Sequence, residues 1–149
     1  MKLSKNGLDL IKQFEGFKSK SYNDVGGKPT IGYGHLIKSG ESFTTVTPQE
    51  AIDLLKYDTL KAVSCVNEVV KVQLTQNHFD ALVSLTYNIG NTNFRNSTLL
   101  KKLNINKFQE ASDQFLIWNK VRNPKTKELE FCQGLYNRRL KEKELFDKI

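Results

Sequence analysis

No apolar run in these 149 residues approaches the length of a membrane span. The chain also has no low-complexity tract and no repeat of the kind that builds solenoids. Cysteine is scarce: Cys65 and Cys132 are too few for a disulfide framework and belong to no Cys-x-x-Cys pair. They read as small, semi-buried apolar residues in a reducing compartment. Histidine is scarcer in context, since neither His35 nor His78 has metal-ligand spacing around it, so no metal is expected. A phosphate cradle is missing too: Gly32-Tyr33-Gly34 runs into His35 and Leu36, not into a capped helix, and no cofactor is expected. The first residues alternate Lys, Ser and Asn with single apolar residues and lack the apolar run of a secretory signal, which predicts a chain held in the cytoplasm after synthesis.

What the chain has is length for a core and an excess of base. One domain, in two lobes, fits 149 residues without staples. The formal net charge of +7 favours an anionic partner surface. Basic residues are dispersed among acids and no helix-turn-helix pattern stands out, so no specific nucleic acid is expected. No dimer seam is visible, which predicts a monomer.

The pattern along the chain is mainly helical. Ser4 is placed to cap a first helix with Leu8, Ile11 and Phe14 on one face, so that Glu15 falls in its last turn with Gly16 behind it. From Ser21 to about Phe43, Gly and Lys alternate with β-formers such as Tyr22, Ile31 and Tyr33, which predicts a small antiparallel sheet. Thr47-Pro48-Gln49-Glu50 is a capping box opening a long helix with Ala51, Leu54, Leu55, Ala62 and Val66 inward. Thr75 opens another helix, closed by Gly90 as a left-handed cap. A short helix is expected from Ser97 to Leu103, and a further one from Asn106 with Phe108, Ala111, Phe115 and Trp118 on one face, Trp118 serving the core. Asn123-Pro124-Lys125 marks a turn inside a charged stretch, Val121 to Glu130. A last helix runs from Leu135 to about Phe146, with Glu142 and Glu144 on a solvated face. The fold class is therefore α+β, with a sheet lobe over about 16–46 and a helical lobe over about 47–149 plus the first helix.

The chemistry concentrates near the start. Glu15 is followed after eight residues by Asp24, after five more by Thr30, and then by Ile31-Gly32-Tyr33-Gly34-His35. Asp24 and Thr30 flank the Gly26-Gly27 turn of a hairpin, which brings them near each other and opposite the helix end. Hydrolysis of a glycosidic bond needs a protonated carboxyl for the leaving oxygen and, across the sugar, a group that handles water or faces positive charge. His35 is expected to pair with Asp58, about three turns into the long helix.

Glu-x8-Asp-x5-Thr ahead of Gly-x-Gly-His resembles the signature of the phage-type lysozymes, the endolysins of glycoside hydrolase family twenty-four. Ala81 to Gly90 with Phe94, Ser97 to Leu100 and Leu103-Asn104 is similar to that family's central helix pair. Trp118 and then Gly134-Leu135-Tyr136-Asn137-Arg138-Arg139 with Glu142 is similar to its closing motif. The resemblance implies a lysozyme-like fold with glycan held between the lobes, and an N-acetylmuramidase that cuts peptidoglycan for host lysis. It implies Glu15 as general acid, Asp24 and Thr30 handling water, Gly32, Tyr33, Gly34 and His35 lining substrate, and Arg138 near Glu15, which burial would then keep poorly solvated. A holin would give access to the wall, and the positive charge would suit acidic peptidoglycan and anionic envelope lipids. A lytic transglycosylase, a non-catalytic wall-binding module and a basic nucleic-acid binder are the competing readings.

Overall fold

The computed structural model describes all residues, Met1 to Ile149. Two compact units divide the chain: Ile11–Leu60, and Met1–Leu10 together with Lys61–Ile149.

The smaller unit begins inside helix α1 (Lys5–Glu15). Ser4 caps that helix, its hydroxyl accepting from the Gly7 N–H at 3.2 Å. Strands β1 (Lys18–Asn23), β2 (Pro29–Gly32) and β3 (His35–Leu36) form an antiparallel sheet in that order, beginning and ending earlier than the β-formers suggest. Tyr22 pairs with Thr30, and Ile31 with His35. The outer edge of β1 is not left bare. Ser21 N–H donates to Thr44 C=O, and Val46 N–H donates to Ser19 C=O at 2.8 Å, so the returning chain covers the edge. Ile31, Val46 and Ala51 make the unit's core, with Tyr33, Ile37, Phe43 and Leu54 packed around them.

Ala51 and Leu54 belong to helix α2 (Pro48–Val69), which opens with the reciprocal capping box. Glu50 N–H donates to Thr47 Oγ1 at 3.1 Å, and Thr47 N–H donates to Glu50 Oε1 at 2.9 Å. Its inward stripe is nearly dry, with Ala51, Leu55, Ala62 and Val66 all buried.

The larger unit is helical: the second part of α2, then α3 (Gln76–Ile89), α4 (Asn91–Arg95), α5 (Thr98–Asn104), α6 (Phe108–Gln114) and α7 (Gln133–Asp147). Every residue of α3 from Phe79 to Thr86 is buried, so this is a central helix and not an amphipathic one. Gly90 has φ 92 and ψ 154, which is not the left-handed helical cap the sequence suggests; it ends α3 and starts α4, a short helix that the sequence pattern does not announce. The short helix expected from Ser97 is α5, and Ser97 caps it, accepting from the Leu100 N–H.

Two further expectations, on Trp118 and Glu142, need correction, while the turn expected at Asn123-Pro124-Lys125 is found. The helix that opens near Asn106 is short: α6 ends at Gln114 and a 3-10 turn, Phe115–Ile117, follows, so Trp118 lies beyond the helix. The charged stretch after it is a hairpin, β4 (Lys120–Arg122) with β5 (Leu129–Phe131), closed by Asn123, whose side chain accepts from the Lys125 and Thr126 N–H groups. Glu142, placed on a solvated face by its Lys and Glu neighbours, has no solvent exposure at all. Its carboxylate sits 2.7 Å from Arg139 Nε and 3.2 Å from Arg138 Nε, and the Ser84 hydroxyl donates to it at 2.5 Å. Two cations and a hydroxyl thus neutralise one buried anion and join α3 to α7.

The N-terminus of α3 carries a pH dependence. Thr75 N–H donates to His78 Nδ1 at 3.1 Å while Thr75 Oγ1 accepts from His78 N–H, so the cap needs an unprotonated Nδ1. The ring packs at a tilt against Phe108 and Phe146, with centroids at 5.0 and 4.6 Å. Burial among these rings lowers the His78 pKa from 6.5, against an upward pull from Asp147. A lowered folded value means that the stabilisation is complete above the unfolded value of about 6.5 and fades as pH falls toward the folded one. In His78→Gln the amide caps Thr75 equally at any pH. Between pH 7.5 and pH 5 the wild type should lose more melting temperature than the variant, while the variant starts lower at pH 7.5 for want of ring packing. Parallel melting curves across that range would refute the assignment.

Candidate functional site

All three residues expected to act on a glycosidic bond fall within Ile11–Leu60. Asp24 and Thr30 are brought together through one residue. At the β1–β2 turn, Asp24 Oδ1 accepts from the Lys28 backbone N–H at 2.8 Å, and the Thr30 hydroxyl donates to the Lys28 C=O at 3.0 Å. The turn itself closes by Asp24 N–H to Lys28 C=O and Gly27 N–H to Asp24 C=O. Both side chains are thus fixed by backbone groups that a hairpin of this length supplies. Thr30 is 3 % exposed, and its hydroxyl, having given its proton to Lys28, keeps lone pairs to accept one. Asp24 is half-buried and spends one carboxylate oxygen on the turn.

Glu15 is the last residue of α1 and is half-buried. Gly16, at φ 70, reverses the chain behind it, a conformation that glycine adopts without steric cost. The Glu15 carboxylate lies against the turn after β2: a Cβ added to Gly34 would stand 3.6 Å from Oε2. Gly34 has φ 79, so it is the backbone conformation that disfavours a side chain there, since a Cβ would make only an ordinary contact with Glu15. The strand carrying Thr30 and the turn flanking Glu15 are therefore one continuous segment.

The remaining candidates divide by burial. Tyr33 and Gly34 are partly exposed. Gly32 is buried against α2, where a Cβ would come within 3.1 Å of that of Ala51. Arg138 is also buried, with Nη2 donating to Ser84 C=O at 3.2 Å besides its ion pair with Glu142. His35 is buried with both ring nitrogens on carboxylates: Nδ1 is 2.7 Å from Asp58 Oδ2, the pairing foreseen from sequence, and Nε2 is 3.1 Å from Glu41 Oε1, which was not. Phe43 meets the ring edge-on at 5.9 Å. The Glu41 carboxyl is held below the usual carboxylate range by the Lys38 backbone N–H first, with His35 adding to it. A lowered carboxylate pKa contributes stability above its unfolded value, lost as pH falls through the folded one. No three His, Cys, Asp or Glu side chains converge as a metal centre would need.

The family model described as phage lysozyme matches residues 12–142. The chain belongs to the phage lysozyme family. Among relatives of this phage lysozyme family member, the endolysin of Acyrthosiphon pisum secondary endosymbiont phage 1 is 41 % identical over 99 % of each chain. Among solved structures, the endolysin from Escherichia coli O157:H7 phage FAHEc1 superposes with a TM-score of 0.93 at 40 % identity, covering 99 % of this chain and 94 % of that one. The muramidase domain of SpmX from Asticaccaulis excentricus gives 0.91 at 36 % identity over 99 % of both. The lysozyme-like α+β fold expected from the sequence is the fold observed.

His35 makes the sharpest test of this arrangement. Asparagine in its place cannot reach both carboxylates, and hydrogen bonds to charged groups contribute about 1.5–3 kcal/mol each. His35→Asn should lower the unfolding free energy by at least about 2 kcal/mol at pH 5.5, read by denaturant unfolding. Unchanged stability would mean that the two contacts carry no net energy.

Proposed function

We propose that this phage lysozyme family member is an endolysin with N-acetylmuramidase activity, hydrolysing the β-1,4 bond between N-acetylmuramic acid and N-acetylglucosamine in peptidoglycan. The observation that carries this reading is the Lys28 main chain, whose N–H and C=O tie Asp24 and Thr30 to one residue of the segment whose next turn flanks Glu15. Glu15 protonates the leaving oxygen. Thr30 anchors a water through its lone pairs, and Asp24 activates that water and faces the oxocarbenium charge. Tyr33 and Gly34 let backbone approach the sugar, while Gly32 and His35 hold the surrounding structure of the smaller unit. The formal charge of +7 attracts acidic peptidoglycan and anionic envelope surfaces.

No helix is long and apolar enough to cross a membrane. The proposed reading also includes a cytoplasmic protein that acts as a monomer and reaches the wall when a separate holin opens the membrane.

A neutral threonine is a poor nucleophile but a good water anchor, which favours inversion of the anomeric centre. Proton NMR of the first product should show the α anomer before mutarotation. A β anomer would make Asp24 a nucleophile, and an anhydro-muramic end found by mass spectrometry would make the enzyme a transglycosylase. Glu15→Gln should remove nearly all turnover with the fold intact, and Thr30→Ala should lower kcat more than it raises KM.

A further inference from the structure

Phe17 is a large aromatic residue left 38 % exposed two positions after Glu15. It is outside the core cluster of its unit, which consists of Ile31, Val46 and Ala51 with Tyr33, Ile37, Phe43 and Leu54 around them. Its ring instead meets that of Tyr33, with centroids 5.5 Å apart and planes inclined by 47°. Lys12, one helical turn before Glu15, places Nζ 5.6 Å from the centroid of the same Tyr33 ring. Residues on both sides of Glu15 in sequence thus rest on one aromatic ring. That ring belongs to the neighbour of Gly34, against which the Glu15 carboxylate lies.

This arrangement answers a mechanical difficulty. The last turn of a helix has unpaired carbonyls and frays, and Gly16 behind Glu15 gives the chain further freedom. A general acid cannot tolerate such freedom, because misplacement by about 1 Å costs on the order of a hundredfold in rate. We propose that Phe17, Lys12 and Tyr33 form a clip across the end of α1 that aims the Glu15 carboxyl, with Phe17 as a positioning residue for the reaction. The clip rests on the reading of Glu15 as general acid. Phe17 acts through Glu15 and touches no reacting atom. The aromatic pair anchors the chain after the reversal, the lysine anchors the turn before it, and the carboxylate between them loses the motions that would carry it away from Gly34.

The test separates kcat from KM on soluble peptidoglycan oligomers, at a temperature where circular dichroism shows every variant folded. Phe17→Ala should lower kcat about tenfold with KM within about twofold, because the clip aims the acid and does not bind the sugar. Phe17→Tyr, which restores the ring, should recover kcat to within about twofold of wild type. In a Glu15→Gln background, Phe17→Ala should cost nothing further, since there is no acid left to aim. Should Phe17→Ala not fold, Phe17→Leu is expected to give a smaller fall in kcat at constant KM, with faster amide exchange at Gly16. Wild-type kcat in Phe17→Ala or in the leucine variant, or an undiminished loss in the Glu15→Gln background, overturns the clip and leaves the role of Glu15 standing. Full activity of Glu15→Gln alone overturns both.

Discussion

A carboxylate with no solvent exposure organises the helical unit of this protein. Glu142 lies between Arg138 and Arg139, one turn of helix away from each, with Ser84 donating to it from α3. None of these groups could be buried alone, since an unpaired charge in an apolar interior costs several kcal/mol even after relaxation. In this cluster the anion is fully compensated and each guanidinium group has a carboxylate partner. The pairing therefore fixes the rotation of α7 as well as its adhesion: turning the helix by one residue would strand two guanidinium groups. The apolar contacts of Phe79, Leu82 and Phe146 supply bulk stabilisation without that directional demand.

The same logic, charge held by geometry and not by apolar area, recurs in the smaller unit. His35 has a carboxylate at each ring nitrogen, one from α2 and one from the loop after β3, and so fastens a two-residue strand too short to secure itself. Where the candidate chemistry occurs, the ties come from the backbone. Lys28 offers its N–H to Asp24 and its carbonyl to Thr30, and the turn at Gly34 lies against Glu15. The unit carries the candidate side chains on a frame of peptide groups, which have fixed geometry and do not titrate.

Much of this was legible in the sequence where the signal is local. The Thr47 to Glu50 box, the Ser4 cap, the Gly26-Gly27 turn and the last-turn position of Glu15 depend on residues a few positions apart, and each appears as expected. The pairing of His35 with Asp58 was also foreseen, because it follows from register along one helix. Signals that require knowledge of the opposing surface failed. Glu142 sits among lysines and a glutamate and reads as solvated, and only the presence of α3 beside α7 reveals otherwise. Trp118 follows a helical spacing that a 3-10 turn interrupts, and the hairpin from Lys120 to Phe131 hides behind its charges, because a two-stranded ribbon exposed on all sides has no alternation to display. At the candidate site, the spacing of Glu15, Asp24 and Thr30 was visible, but the part played by Lys28 was not, since no side-chain pattern encodes a peptide group.

That peptide group has a consequence for how the protein can vary. Because position 28 contributes only main-chain atoms to Asp24 and Thr30, its side chain is released from the site and open to drift, whether toward the charge of the host envelope or away from it. Alanine scanning would pass over it in silence. Among the encoded residues only proline, which has no N–H to offer, removes the donor that Asp24 uses. The site therefore contains a position whose amino acid is nearly arbitrary and whose presence is not.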